Sequence, residues 1–202
     1  HRYDFFISGF DGCDRTKITF QNVNANIKKW LIFPQYNVPE ELVPVSSYTS
    51  SSMEEDVYID GIAELDNLNR KSKVCIDCTG IITPHLVYLI KKLHILGVRK
   101  IDILYSEPNS YEKGEDTLFT KIVARPKVIP GLSAVPTEIG GDDVLIVCAG
   151  YDKQLMETVI QDKNRAKYRF FIVGFPSLQA DMYQQSLIQL HKAKLTIGSD
   201  NV

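Results

Sequence analysis

The sequence predicts an α/β protein of Rossmann-like type, with a mostly parallel sheet and helices on both faces of that sheet. Two observations predict this class. Short and nearly continuous apolar runs recur along the chain, which is typical of parallel strands buried on both faces. Amphipathic helical stretches separate these runs. The 202 residues are enough for one sizeable core, so we expect a single domain over 1–202.

The first third of the chain shows this alternation from its start. The first apolar run is YDFFIS, and the second, WLIF, ends at Pro34, which cannot continue a strand ladder. Between them, Ile18, Val23 and Ile27 recur at a helical spacing and are expected to face inward. The predicted elements are a strand at 3–8, a helix at 16–29, strands at 30–33 and 42–45, a polar loop at 46–52 and an acidic helix at 53–65.

The clearest unit is a strand, helix and strand over 74–105. Residues 84–96 place apolar side chains on one face, Thr83 and Pro84 suit the helix start, and Gly97 suits its end. The flanking strands are 74–77 and 101–105. This crossover has the length that a parallel strand pair requires.

A second such unit lies near the end of the sequence. The predicted elements are a strand at 144–148, a helix at 153–166 with Asp152 as its N-cap, a strand at 169–173 and a helix at 178–194. Residues 106–143 interrupt the rhythm with one possible strand at 121–129, so we interpret them as an insertion or lid. The strands at 3–8, 74–77, 101–105, 144–148 and 169–173 are expected to share one sheet.

Charge and hydropathy narrow the class of protein. The formal net charge of −2 argues against strong nonspecific nucleic-acid binding. No apolar run reaches the roughly 20 residues that span a bilayer, and the start of the sequence does not resemble a signal peptide. We therefore expect a cytoplasmic protein without membrane contact, and we expect the natural chain to continue after Val202.

The four cysteines are Cys13, Cys75, Cys78 and Cys148. Cys75 and Cys78 have the spacing of a metal-binding pair, but residues three apart on a strand face opposite sides. We expect four reduced thiols acting as small core residues. Neither a metal nor a cofactor is predicted.

Candidate site residues follow the predicted strands, because ligands of open parallel sheets bind beyond the carboxyl ends of the strands. Several of them open helices, where free N–H groups favour phosphate. The predicted ligand-binding set is Asp11, Asp14, Arg15, Thr79, Gly80, Thr83, His85, Tyr151 and Asp152, with Ser106, Glu107, Pro176 and Ser177 on the same rim.

The most informative stretch is 77–85, with the sequence DCTGIITPH. Its glycine permits close backbone approach, its threonines offer hydroxyls, and a helix start follows, which favours phosphate or ribose binding. Two alternatives stay open: Thr83 only caps the helix, and Gly80 only makes the turn. His85 is either a hydrogen-bonding site residue or a surface histidine, and Asp14 and Asp152 also suit plain N-caps.

Several common enzyme classes are disfavoured by missing motifs. The sequence has no Walker A, G-x-G-x-x-G, H-E-x-x-H or G-x-S-x-G pattern. This argues against a P-loop NTPase, a standard dinucleotide dehydrogenase, a zincin protease and an α/β-hydrolase.

The turn over 76–83, IDCTGIIT, resembles the Asx-x-Thr-Gly-Gly-Thr-Lys turn of CRISPR-associated Rossmann fold (CARF) domains. It departs from that turn at Ile81, which replaces the second glycine, and in having no lysine after Thr83. CARF domains are usually dimers that bind cyclic oligoadenylates. The resemblance implies that Thr79, Gly80 and Thr83 contact a ligand and that 11–15 form another loop of the same site.

The N-terminal part also resembles TIR domains. YDFFIS is similar to their opening strand, and Ser47-Tyr48 followed by 51–55 is similar to the loop and helix that carry the catalytic glutamate of TIR NAD-cleaving enzymes. This resemblance ends near residue 56. It implies that Glu54 or Glu55 polarises a nicotinamide ribose.

Three hypotheses of function follow. The first is a nucleotide-recognising Rossmann-like module of a prokaryotic antiviral defence or signalling system, acting as a homodimer or with a partner protein. The second is an enzyme that cleaves nucleotides or NAD, and the sequence leaves open whether catalysis occurs. The third is a scaffold subunit whose glutamine-rich last helix (Gln179, Gln184, Gln185 and Gln189) docks a partner.

Overall fold

The computed structural model describes residues 2–108, 128–132, 143–150, 152–163, 166–175 and 182–197. The chain forms two compact units, His1–Tyr111 with Ile129–Ser133, and Glu112–Val128 with Ala134–Val202. Most of the expected insertion at 106–143, including 121–127 of its possible strand, lies outside the described residues. The single domain over 1–202 therefore stays a prediction.

The first unit contains a five-stranded, all-parallel sheet in the order β3-β2-β1-β4-β5. This is the strand order 3-2-1-4-5 of doubly wound α/β folds, and it confirms the predicted class. The elements are β1 (Tyr3–Phe10), α1 (Asp14–Asn22), β2 (Ala25–Ile32), β3 (Ser47–Tyr48), α2 (Glu55–Asp60), β4 (Lys73–Asp77), α3 (Thr83–Ile95) and β5 (Lys100–Leu104), with 3-10 helices at Pro34–Tyr36, Glu40–Leu42 and Ala63–Asn67.

One face of this sheet is covered by α1 through aromatic packing. Phe20 of α1 stacks on Trp30 of β2 at a ring-centroid distance of 3.9 Å, and it also contacts Phe6 of β1 at 5.5 Å. Phe10 meets the edge of Trp30 at 5.1 Å. Phe6 and Phe10 are two alternations apart on β1, so they point to the same side of the sheet.

The other face packs against α2 and α3. The alternate residues Phe5 and Ile7 of β1 lie in one buried cluster with side chains from both helices. The fully buried members of this cluster include Leu31, Phe33, Val74, Ile76, Tyr58, Ile59, Ile62, Leu89 and Leu93. Helices on both faces explain why the strands read as continuous apolar runs.

The second unit pairs two parallel strands, β6 (Val144–Ala149) and β7 (Tyr168–Val173), and contains α4 (Lys153–Asp162) and α5 (Met182–Ile197). Its small core is formed by Val147, Met156, Leu190 and Ala193. Asp152 is the N-cap of α4, as predicted, and its carboxylate accepts a hydrogen bond from the Leu155 N–H at 3.1 Å. The predicted helix start at 178–181 lies outside the described residues.

The expectation of one sheet is wrong. β6 and β7 pair with each other in a separate two-stranded sheet, whereas the strands at 3–8, 74–77 and 101–105 belong to the five-stranded sheet. An apolar run indicates that a segment is a strand, but it carries no information about which strand becomes its partner.

The predicted extent of the first helix is also wrong. The helix expected at 16–29 ends at Asn22, and β2 begins at Ala25, so Ile27 lies on a strand and is 42% exposed. Ile18, which was expected to face inward, is exposed as well. Residues 25–29 pair with β1 as part of the sheet, and this pairing outweighs the weak helical spacing of their apolar side chains.

The segment 40–65 differs from the prediction in detail. The strand expected at 42–45 is replaced by the 3-10 helix Glu40–Leu42, and the short strand β3 falls inside the expected polar loop. The acidic helix at 53–65 is split into α2 and a 3-10 helix, with Gly61 following α2.

None of the helices among the described residues is both long and apolar enough to cross a membrane.

The cysteines occupy different environments. All four are free thiols; Cys75 is buried in β4, whereas Cys13 and Cys148 are exposed. Burial raises the pKa of the Cys75 thiol to about 11. The raised pKa keeps Cys75 protonated at neutral pH, and a protonated, buried thiol is a poor nucleophile.

We predict that Cys13 reacts with a thiol reagent in the native protein at pH 8 and that Cys75 does not. Because the pKa of Cys75 is raised, its reactivity should remain low at pH 9, above the ordinary thiol value of about 8.5. Denaturation without reductant should release four titratable thiols. The measurement is residue-resolved mass spectrometry, and labelling of Cys75 as fast as Cys13 would contradict its place in the sheet.

Candidate functional site

The candidate site lies at the carboxyl edge of the five-stranded sheet. β1 leads from this edge into α1 on one face, and β4 leads into α3 on the other. Adjacent strands whose connections leave to opposite faces form a topological switch point, where ligands of open α/β sheets bind. The predicted residues 11–15 and 79–85 follow these two strands, so the structure brings their loops together.

A buried carboxylate organises this edge. Asp77, the last residue of β4, is fully buried. Its Oδ2 accepts a hydrogen bond from the Ser8 hydroxyl at 2.9 Å, and its Oδ1 accepts from the Thr79 N–H at 3.1 Å and the Thr79 hydroxyl at 2.6 Å. These bonds satisfy the charge away from water and tie the turn after β4 to β1.

The network continues to β5 and α1. The Thr79 hydroxyl oxygen accepts a hydrogen bond from the Ser106 N–H at 2.8 Å. The hydroxyls of Ser106 and Thr19 lie 2.7 Å apart, and the Arg15 guanidinium donates to the Ser106 carbonyl at 3.1 Å. Thr79 and Arg15, both predicted to contact a ligand, therefore hold three elements of the fold together.

The two glycines of this edge pack backbone against backbone. A Cβ added at Gly9 would overlap the Gly80 carbonyl, and one added at Gly80 would overlap the Gly9 carbonyl. Both glycines are buried. This packing favours the alternative in which Gly80 makes the turn, and a bulky side chain there would disturb the fold as well as any ligand.

The loop after β1 is held by Asp11. Its Oδ1 accepts hydrogen bonds from the Cys13 N–H at 2.9 Å and from the Thr16 hydroxyl at 2.7 Å. Cys13 is the N-cap of α1 and makes no side-chain cap bond, so the N-cap role considered for Asp14 is wrong. Asp14 is the first helical residue, with a side chain 90% exposed and 3.7 Å from the Lys17 ammonium.

The start of α3 is open to solvent. Ile82 is its N-cap and offers no side-chain acceptor, so Thr83 is not the cap and instead begins the helix with an exposed side chain. The first N–H groups of a helix have no acceptor within the helix. At α3 they are not satisfied by a capping side chain.

His85 is buried, so the surface alternative for this residue is wrong. It is 3% exposed, and its ring lies 5.1 Å from the ring centroids of both Phe33 and Tyr58, each in an edge-on arrangement. Tyr58 also meets the edge of Tyr48, and its hydroxyl donates to the Ile32 carbonyl at 2.8 Å. We call Phe33, Tyr48, Tyr58 and His85 the aromatic cluster.

A second carboxylate is buried at this edge. Glu55 lies in the first turn of α2, one turn before Tyr58 of the aromatic cluster, and is 2% exposed, whereas its neighbour Glu54 is the exposed N-cap of α2. The sequence analysis named both glutamates without distinguishing them, named Tyr48 only as part of the TIR-like loop, and did not identify Phe33 or Tyr58. Glu55 and Tyr58 are three residues apart, a helical spacing that places them on the same face of α2 and that could have indicated from the sequence that they lie together.

Tyr36 is another residue that the sequence did not reveal. It ends the 3-10 helix after β2 and is 37% exposed. Burial and the charge of the Asp11 carboxylate raise the pKa of Tyr36, and its ring meets that of Phe33 edge-on with the ring centroids 6.3 Å apart.

The other predicted residues are Glu107, Tyr151, Asp152, Pro176 and Ser177. Asp152 belongs to the second unit, and Glu107 is an exposed neighbour of Ser106. Tyr151, Pro176 and Ser177 lie outside the described residues. Within the described ranges, no three His, Cys, Asp or Glu side chains are grouped so that they could hold a metal ion.

The comparisons with known proteins found no similar protein. The chain matches no protein-family model, no curated protein and no solved structure at a significant level.

We predict that Asp77→Asn lowers the free energy of unfolding by about 2–4 kcal/mol, because the amide loses the charge and replaces one of the two acceptor oxygens with an N–H2 group that faces a present donor, Ser8 or Thr79. Asp102→Asn is the matched control. Asp102 is exposed and accepts one hydrogen bond, from the Tyr3 hydroxyl at 2.7 Å. Asp102→Asn should therefore lower the free energy of unfolding by less than about 1 kcal/mol.

Urea denaturation followed by circular dichroism measures both variants. Equal effects of the two substitutions would show that Asp77 does not organise the edge.

Proposed function

We propose that this chain is a nucleotide-recognising Rossmann-like module whose ligand binds at the carboxyl edge of the five-stranded sheet. The observation that carries the proposal is the pair of helices that start there. α1 and α3 begin on opposite sides of the switch point, and neither has a side-chain cap. Uncapped helix starts present N–H groups and the positive end of the helix dipole to an anion.

The phosphate is assigned to α3. This helix has 13 residues, no acidic residue in its first turn and an exposed Thr83 at its start. α1 is a poorer phosphate site, because Asp14 lies in its first turn and the Asp11 carboxylate precedes it. The two helix starts therefore differ in the ligand group that each favours.

The ribose and base are assigned to the loop after β1 and its neighbour. Among the described residues, nothing donates a hydrogen bond to Asp11 Oδ2, which can accept from ribose hydroxyls. The ring of Tyr36, which is 37% exposed, offers a stacking surface for a base. Contact between Gly9 and Gly80 keeps this loop close to the turn that leads to α3.

Rigidity of the turn supports the same assignment. The Asp77, Thr79 and Ser106 bonds hold the turn before α3 in place, so ligand binding need not order it. The resemblance of 76–83 to the CARF turn supports a role in a prokaryotic antiviral defence or signalling system. In this proposal Thr83 contacts the ligand, whereas Thr79 and Gly80 shape the turn.

We predict that Thr83→Glu weakens nucleotide binding at least tenfold without lowering stability. A carboxylate there repels phosphate, whereas its charge is favourable at a helix start. Thr83→Gln has the same size without the charge and should bind much more tightly than Thr83→Glu. Isothermal titration with a panel of NAD, mononucleotides and cyclic oligoadenylates measures affinity, and thermal unfolding measures stability.

Two results would contradict the proposal. One is the absence of binding by the unaltered chain to every member of the panel, which would favour the scaffold hypothesis. The other is equal affinity of the Thr83→Glu and Thr83→Gln variants, which would place the phosphate elsewhere.

A second candidate function, cleavage of NAD or another nucleotide, is favoured by the burial of Glu55. Acidic side chains in the first turn of a helix are usually solvated, yet Glu55 is 2% exposed at the same edge as the aromatic cluster. Buried carboxylates in ligand-binding edges are candidates for catalysis. The resemblance to TIR domains assigns such a glutamate to polarise the nicotinamide ribose.

We predict that Glu55→Gln and Glu54→Gln separate the two functions. If the protein cleaves NAD, Glu55→Gln should abolish turnover, whereas Glu54→Gln should retain it because Glu54 is exposed. If the protein only recognises nucleotides, the unaltered chain should show no turnover. Chromatographic detection of nicotinamide release measures the activity, and loss of activity in the Glu54→Gln variant alone would exclude Glu55 as the catalytic residue.

A further inference from the structure

The two-stranded sheet of the second unit has one exposed apolar face. Its members alternate along the paired strands, with Val144 opposite Tyr168, Ile146 opposite Phe170 and Cys148 opposite Ile172. The five larger apolar side chains are between 48% and 60% exposed. We call these six residues the β6–β7 face.

The opposite side of the same sheet is covered. Val147 of β6 is buried with Met156 of α4 and with Leu190 and Ala193 of α5, and Phe171 packs against them. Parallel sheets are normally covered on both faces, because their strands are apolar on both. A two-stranded sheet also has little stability without further packing. The β6–β7 face therefore has the composition of an interior surface and the exposure of an outer one.

The charge and the exposed area of the β6–β7 face are compatible with packing against the same face of a second copy of the chain. None of its six residues is Asp, Glu, Lys or Arg, and the Lys167 ammonium lies 5.1 Å from the ring centroid of Tyr168 at one end of the face, so the centre of two packed copies brings no like charges together. With aromatic side chains of roughly 150–250 Å² each, its exposed area is on the order of 500 Å². Two such faces would together bury about 1,000 Å², close to the minimum area of a specific interface and typical of a weak one.

We propose that the β6–β7 face is a homodimer interface in which the faces of two copies pack sheet against sheet. An isologous contact of this kind closes with two copies, since each face is fully used by its counterpart. The side chains of both faces then interdigitate as in a two-sheet sandwich, with the sheets about 10 Å apart. The interface does not depend on the proposed nucleotide site, which belongs to the other unit.

The test is the mass of the purified chain and the reactivity of one thiol on the β6–β7 face. Sedimentation equilibrium should give twice 22.9 kDa at tens of micromolar protein and a shift toward 22.9 kDa on dilution. Ile146→Asp, which places a charge in the centre of the face, should give a monomer. Ile95→Asp is the matched control, because Ile95 of α3 is 68% exposed outside that face, and it should remain dimeric.

Cys148 provides a readout that does not rely on a variant. Cys13 and Cys148 are both exposed in a single chain, and Cys148 lies on the β6–β7 face. In the dimer, alkylation of Cys148 should be at least tenfold slower than that of Cys13 and should recover on dilution. Ile146→Asp should make the two rates similar, with an unchanged far-ultraviolet circular dichroism spectrum.

Three results would overturn the proposal. A monomer in which Cys148 reacts as fast as Cys13 would show that the β6–β7 face stays uncovered. A monomer in which Cys148 is protected would show that another part of the same chain covers it. A dimer that persists in the Ile146→Asp variant would place the interface elsewhere.

Discussion

The arrangement of the carboxyl edge depends on the burial of one carboxylate, Asp77. Removing a charge from water is costly, and the structure offsets this cost with hydrogen bonds from Ser8 and from two groups of Thr79. Those bonds fix the turn after β4, and the Thr79 hydroxyl then receives the N–H of Ser106 beyond β5. The positions of the α3 start and of the residues just after β5 both follow from this interaction.

The edge separates residues that build it from residues that remain available to a ligand. Thr79, Gly80 and Arg15 belong to the first group, since each makes contacts between segments distant in sequence. The second group contains Thr83, the first N–H groups of α3 and Asp11 Oδ2. A rigid turn beside an open helix start is the arrangement expected of a preorganised anion site.

The two sheets differ in how many of their apolar faces are covered by helices. In the first unit, α1 covers one face and α2 and α3 cover the other, so adjacent strand residues such as Phe5 and Phe6, which point to opposite faces, are both fully buried. Among the described residues of the second unit, α4 and α5 pack in one buried cluster with one side of β6 and β7. The same kind of apolar sequence is therefore an interior strand in one unit and an available surface in the other.

Local pattern by itself determined the α/β class, most of the strands and the helix at 84–96, because the period of apolar residues and the helix-ending signals act over a few neighbours. It also identified Asp152 as a cap. Tertiary structure decided the assignment of Ala25–Ile32 to a strand, the separation of β6 and β7, and the burial of Glu55 and His85. It also decided that Gly80 packs against Gly9, about 70 positions earlier in the chain. These outcomes depend on contacts between distant segments, and such contacts leave no periodic trace in either segment alone.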